Sequence, residues 1–137
     1  MWSEPTRRLI ELACEEDLGA IGDITSALLP GGTAPVAARV VSRTPGVICG
    51  LALGPEICAA FARRLGQPLE FAPAGSGGKS RQDGDGIQAG ECVATLAGPR
   101  AVVLAAERTL LNFLARLSGV ATLTRRYVAA AHAANPH

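Results

Sequence analysis

Residues 105–127, AAERTLLNFLARLSGVATLTRRY, set Glu107, Arg108, Asn112 and Arg116 into a strongly apolar stretch. A guanidinium is a planar fork of donors that stays charged. It can grip a carboxylate through two parallel hydrogen bonds. At about 100° per residue, Val103, Leu110, Leu111, Phe113, Leu114, Leu117 and Ala121 fall on one broad side of a helix. Ala101, Ala105, Arg108, Asn112, Ala115 and Gly119 fall on the other. Arg108 is therefore expected amid small residues, where a ligand or another backbone can come close. An unpaired guanidinium is costly to bury, so it should be held out to a partner. On spacing alone, an ordinary exposed arginine paired with a nearby acid is the commoner arrangement.

Other stretches invite chemistry and lose to plainer readings. GGKS at 77–80 suggests a phosphate loop, but the full pattern needs a glycine where Pro73 stands and a helix where RQDGDG follows. DGDGIQAGECVATLAG (83–98) has the rhythm of a tight turn and strand, as in biotinyl and lipoyl carriers. Those display a lysine on a hairpin, whereas the single lysine here, Lys79, lies in the glycine-rich loop. A turn at a sheet edge is the expectation. Glu15, Glu16, Asp17 and Asp23 could be imagined around a metal, but they read better as a solvated helix end and a capped turn. Cys14, Cys49, Cys58 and Cys92 include no C-x-x-C pair, and His132 and His137 are remote in sequence. Reduced thiols acting as small buried hydrophobes are expected, with no metal site.

The elements that would position these residues follow from pattern. A chain of 137 residues, 48% hydrophobic with mean hydropathy +0.25, suits one domain with a real core. A net charge of +1 without a basic block gives no reason to expect nucleic acid or an anionic membrane as partner. No apolar run is long enough for a membrane span, and the N-terminus does not read as a signal peptide, so a cytoplasmic protein is expected. Residues 3–17 read as a helix, with Ser3 as cap, Pro5 in the first turn, and Leu9, Ile10, Leu12 and Ala13 as its apolar face. Gly19 should stop it, and Gly22 and Asp23 should turn the chain. PVAARVVSR (35–43) reads as a strand, TPG (44–46) as a turn, VICG as the start of a second strand, and 53–66 as a helix ended by Gly66. LEFAP is a short strand, 74–90 glycine-rich loop, and CVATLAG (92–98) a strand. Pro99 to about Leu117 is helical, and Ser118 should cap a second helix. The order predicts an α+β domain.

Three segments, EDLGAIGDITSALLP, VSRTPGVICG and DGDGIQAGECVATLAGPRAVVLAAERTLLNFLARLSGVATLTRRYV, resemble the N-terminal part of the quinolinate phosphoribosyltransferase family in order and spacing. The resemblance covers roughly residues 7–133. ERTLLNFLARLSGVAT is its most specific piece, GDIT is moderately specific, and DGDGIQAG alone is weak. The glycine-rich insert at 75–86 departs from the family's shorter connection.

The resemblance implies an open α/β sandwich (residues 1–100) followed by helices (101–137) leading into an incomplete α/β barrel. It implies conversion of quinolinate and phosphoribosyl pyrophosphate, with Mg²⁺, to nicotinate mononucleotide, carbon dioxide and pyrophosphate in de novo NAD biosynthesis. It also implies a homodimer or dimer-based assembly, each N-terminal domain covering its partner's barrel mouth. In that arrangement the arginine of the ERT motif, here Arg108, reaches across the interface to a quinolinate carboxylate. Glu107, Thr109 and Asn112 would position the helix. The family's other substrate cations, its metal ligands and its catalytic groups belong to the barrel, and no catalytic residue or metal ligand is expected in this chain. The sequence stops at AHAANPH, about where the first barrel strand should begin. A fragment, truncated product or isolated domain, inactive by itself, is therefore expected. The alternatives are a non-catalytic dimerisation or substrate-capping domain, a defunct gene fragment, and a relative of the same fold linked to molybdenum uptake.

Overall fold

Alternating valines in PVAARVV make a strand with two unlike faces, and the remaining elements assemble around it. The computed structural model describes the backbone of residues 2–28, 31–76 and 79–135, and their side chains except those of 20–28 and 76. In chain order the elements are α1 (Glu4–Leu28), β1 (Pro35–Val41), β2 (Gly46–Val47), a 3-10 turn (Leu51–Leu53), α2 (Gly54–Leu65), β3 (Glu70–Pro73), β4 (Gly75–Ser76), β5 (Lys79–Ser80), β6 (Gly86–Ile87), β7 (Cys92–Pro99) and α3 (Arg100–Ala134). This is a mixed α+β domain of three helices and small antiparallel sheets, with no barrel among the described residues.

The main sheet has the order β1-β7-β3. Ala38 pairs with Leu96 and Phe71 with the same Leu96, so one row of side chains crosses all three strands. Val36, Ala38, Val40 and Phe71 turn toward the core, while Pro35, Ala37, Arg39 and Val41 of β1 remain exposed. The helices fill the core side. Ile57, Cys58 and Phe61 of α2, Cys14 of α1, and Val102 and Leu110 of α3 are its largest fully buried side chains. β2 pairs with β6, and β4 with β5.

Two glycines answer steric demands. Gly50 adopts φ 103°, and a Cβ there would meet Leu117 Cδ1 at 3.0 Å. At Gly54 a Cβ would lie 2.3 Å from the Phe71 ring, so α2 packs on β3 only because the side chain is missing. Gly50 has no side chain to cap the turn it precedes. Asp83 serves instead, its carboxylate accepting from the backbone N–H of Leu51 at 2.8 Å and of Ala52 at 3.5 Å. The sequence identifies the turn around Asp83 but not this bond.

Several expectations are corrected. α1 does not stop at Gly19; its backbone is helical to Leu28. The side chains of Gly22 and Asp23, and residues 29–30, lie outside the description, as do Gly77 and Gly78 of the GGKS stretch. The core face of α1 is Ile10 and Cys14, with Leu18 packed beside them, whereas Leu9 and Leu12 are exposed. The second strand is only the two residues of β2. Ser118 does not start a new helix, because α3 runs unbroken through it. Its hydroxyl instead accepts from the Cys49 N–H and donates to the Cys49 carbonyl, and one turn later Thr122 accepts from the Val47 N–H. Of the four thiols, Cys14 and Cys58 are fully buried and Cys49 and Cys92 half-buried, all reduced. Burial pushes the pKa of Cys14 and of Cys58 up to about 11, which makes both inert.

α1 and α2 are tied at the surface by Glu11, which pairs with Arg63 at 2.6 Å and Arg64 at 3.0 Å. The Arg64 hydrogen bond, followed by that from Arg63, holds the Glu11 carboxyl below its usual range. A lowered folded pKa gives stability above the unfolded value that is lost as pH falls through the folded one. Glu11→Gln is therefore expected to flatten the decline in melting temperature below about pH 4.5, a modest effect for so exposed a group. Asp83→Ala should cost roughly 1–2 kcal/mol in urea unfolding by stripping the 3-10 turn of its acceptor.

Candidate functional site

The first half of α3 is amphipathic, and what it buries decides what it displays. Val102, Val103, Ala105, Ala106, Thr109, Leu110 and Leu114 are buried. Leu104, Glu107, Arg108, Leu111, Asn112, Ala115 and Arg116 are exposed. The predicted division of faces is thus corrected. Ala105 faces the core rather than sharing the side of Arg108, and Leu104 and Leu111 flank Arg108 on the open side. The small residues Ala115 and Gly119 do continue that side.

Thr109 is the single buried polar residue among those described. Its hydroxyl donates to Oδ2 of Asp17, a residue of α1 distant in sequence and close in space. The other oxygen, Oδ1, lies 3.9 Å from Arg108 Nε. The Asp17 side chain is 13% exposed and that of Arg108 is 70% exposed. The carboxylate is mostly sheltered, while the guanidinium stands in water. At 3.9 Å the pair is an electrostatic contact, not a hydrogen bond. Among the described residues no acceptor engages the two Nη groups of Arg108. A charged fork with unused donors, mounted on a packed helix, can bind a carboxylate or another planar anion.

Glu107 and Asn112 are exposed on either side of Arg108 and make no side-chain hydrogen bond among the described residues. Asp17 was missed as a site residue because its neighbours Glu15 and Glu16 suggest a solvated helix end. Spacing held a signal: Asp17 is three residues after Cys14 and beside Leu18, on the core face of α1. Glu15 pairs with Arg64 at 3.1 Å, so the acids of this stretch diverge toward different cations. Among the described residues no group of three or more His, Cys, Asp or Glu side chains could hold a metal ion.

Farther along α3, a groove of about 840 Å³ runs between the helix and the β1–β2 turn. Leu111, Ala115, Thr122 and Leu123 form its helix wall, Arg43 and Arg126 line it too, and no acid is among its lining residues. No helix among the described residues is long and apolar enough to cross a membrane.

Residues 23–118 match the model of the quinolinate phosphoribosyl transferase N-terminal domain. Over 119 residues the chain is 36% identical to the "Probable nicotinate-nucleotide pyrophosphorylase (carboxylating)" of Methanothermobacter thermautotrophicus, covering 87% of this chain and 38% of that relative. It is 34% identical over 130 residues to quinolinate phosphoribosyltransferase (decarboxylating) 1b of Nicotiana tabacum, covering 92% and 33%. The solved nicotinate-nucleotide pyrophosphorylase of Francisella tularensis superposes with a TM-score of 0.65 at 28% identity, over 88% of this chain and 39% of that one. The Ehrlichia chaffeensis structure gives 0.70 at 26% identity, over 93% and 42%. The chain thus spans 33–38% of the length of these two sequence relatives.

Replacing Thr109 by Val keeps the shape and removes the donor facing a sheltered carboxylate. Thr109→Val is expected to lower unfolding free energy by about 1–3 kcal/mol, read by urea denaturation, whereas Thr109→Ser should stay near wild type.

Proposed function

Since the chain belongs to the quinolinate phosphoribosyl transferase family through its N-terminal domain, we propose that it is the substrate-capping part of a phosphoribosyltransferase. That enzyme converts quinolinate and phosphoribosyl pyrophosphate to nicotinate mononucleotide, carbon dioxide and pyrophosphate in NAD biosynthesis. In this reading the chain forms an open α/β sandwich whose α3 presents Arg108 to a partner's barrel in a homodimer. The observation that supports it is the exposure of Arg108, whose Nη donors meet no acceptor among the described residues, on a helix whose opposite face is fixed in the core.

Arg108 neutralises one carboxylate of quinolinate and orients the ring, so that the ring nitrogen faces the ribose carbon that it attacks. The donors of a fork restrict the carboxylate's rotation as well as attracting its charge. Glu107, Thr109 and Asn112 act on the helix and not on substrate. Mg²⁺ in the full reaction would offset charge on the departing pyrophosphate. Among the described residues no group of three or more His, Cys, Asp or Glu side chains fits it, and in this reading the barrel holds the metal. The exposed apolar side chains Leu111, Val120, Leu123 and Tyr127 of α3 support the dimer, since a second subunit would cover them.

The purified 137-residue chain is expected to form no nicotinate mononucleotide from the two substrates and Mg²⁺. A chimaera in which it replaces the matched part of the Methanothermobacter relative is expected to do so. In that chimaera Arg108→Ala should lower kcat/KM for quinolinate about ten- to a hundred-fold, the worth of a hydrogen bond to a charged group. An unchanged kcat/KM for quinolinate would remove Arg108 from the site.

A further inference from the structure

The carboxylate of Asp17 is shared between two neighbouring residues of α3. One oxygen receives the hydroxyl of Thr109, which is 2% exposed, and the other faces the Nε side of Arg108 at 3.9 Å. These contacts differ in kind. The first is buried and directional, and it fixes where the carboxylate sits. The second is longer and half in water, and its direction is set by the first. An arginine on an exposed helix face otherwise samples many rotamers, because its long side chain keeps its rotamer freedom in water.

We propose that Asp17 is a positioning residue for Arg108: locked on Thr109, its carboxylate restrains the Nε edge of the guanidinium and leaves the Nη pair free for an anionic ligand. The proposal deepens the reading of Arg108 as a carboxylate-binding group and rests on it. The geometry separates the two ends of the fork. A carboxylate that took both Nη groups would compete with the ligand, whereas one held off at the Nε edge does not. The charge on Asp17 also offsets part of the cost of holding Arg108 ready without its ligand. A cross-helix tether further fixes the side chain relative to α1 as well as to its own helix.

The test uses the intact 137-residue chain, labelled with ¹⁵N, and follows the Arg108 Nε–Hε group by NMR together with backbone amide exchange along α3. Asp17→Asn preserves shape and removes the charge. Proton exchange at Arg108 Hε is expected to quicken about two- to five-fold, the range for a single partly exposed pair, with amide protection at Leu110 and Leu114 unchanged. Thr109→Val, which loosens the carboxylate without altering any charge, should shift Arg108 in the same direction, and Thr109→Ser should restore it. Unchanged Arg108 exchange in both Asp17→Asn and Thr109→Val overturns the proposal. So does faster exchange in Asp17→Asn that spreads over the whole of α3, since Asp17 would then be only a packing contact. Arg108→Ala in the chimaera separates this from the reading beneath it. If Asp17→Asn frees Arg108 in the 137-residue chain but Arg108→Ala leaves kcat/KM of the chimaera for quinolinate unchanged, the restraint stands and the carboxylate-binding role of Arg108 fails.

Discussion

The burial of one face of α3 is the constraint on which the other features depend. Val102, Ala106, Leu110 and Leu114 recur at helical spacing and are all removed from water. Burying the valine and each leucine is worth roughly 1.5–3 kcal/mol, so the azimuth of the helix is strongly determined. Once it is set, Arg108 has one direction to point. The same packing brings α1 alongside, and with it the Asp17 carboxylate that Thr109 receives.

That carboxylate would be costly to shelter alone. Thr109 supplies a hydroxyl and Arg108 an opposite charge, so its two oxygens are both answered. A polar contact in this position discriminates between registers of α1 on α3. Sliding one helix by a four-residue turn would set Ala105 or Phe113 where Thr109 stands, and a carboxylate without a donor there would be heavily penalised.

Those parts of the fold that local chemistry specifies were legible in the sequence. β1 shows in its valines, α2 between Pro55 and Gly66, and β7 in its run of small apolar residues. The misreadings share a cause, which is that a residue with a strong local meaning was answered by a distant partner or overridden by neighbours. Ser118 resembles a cap, yet its hydroxyl is occupied by Cys49 from the other side of the domain. Gly19 resembles a stop, but a glycine costs a helix only about 1 kcal/mol, and α1 continues past it. For α3 the pattern gave two faces that are rotated from the observed ones. Ala105 and Leu111 exchanged sides because Cys14, Phe61 and Leu96 on other elements define the core. At the candidate site, the exposure of Arg108 was legible because its residue type stands out in an apolar run. Asp17 was hidden by the acids beside it.

The unbroken course of α3 through Ser118 has a geometric corollary. Arg108 and Arg126 are five ideal turns apart, so they share one azimuth at a separation of roughly 27 Å. Arg126 lines the groove, and Leu111, Ala115 and Thr122 occupy the wall between the two cations. A Debye length of about 8 Å at physiological ionic strength is far shorter than that span. Along this one azimuth the rod therefore presents two electrostatically independent cations joined by an oily seam, and whatever lies along that line meets each of them as a separate event.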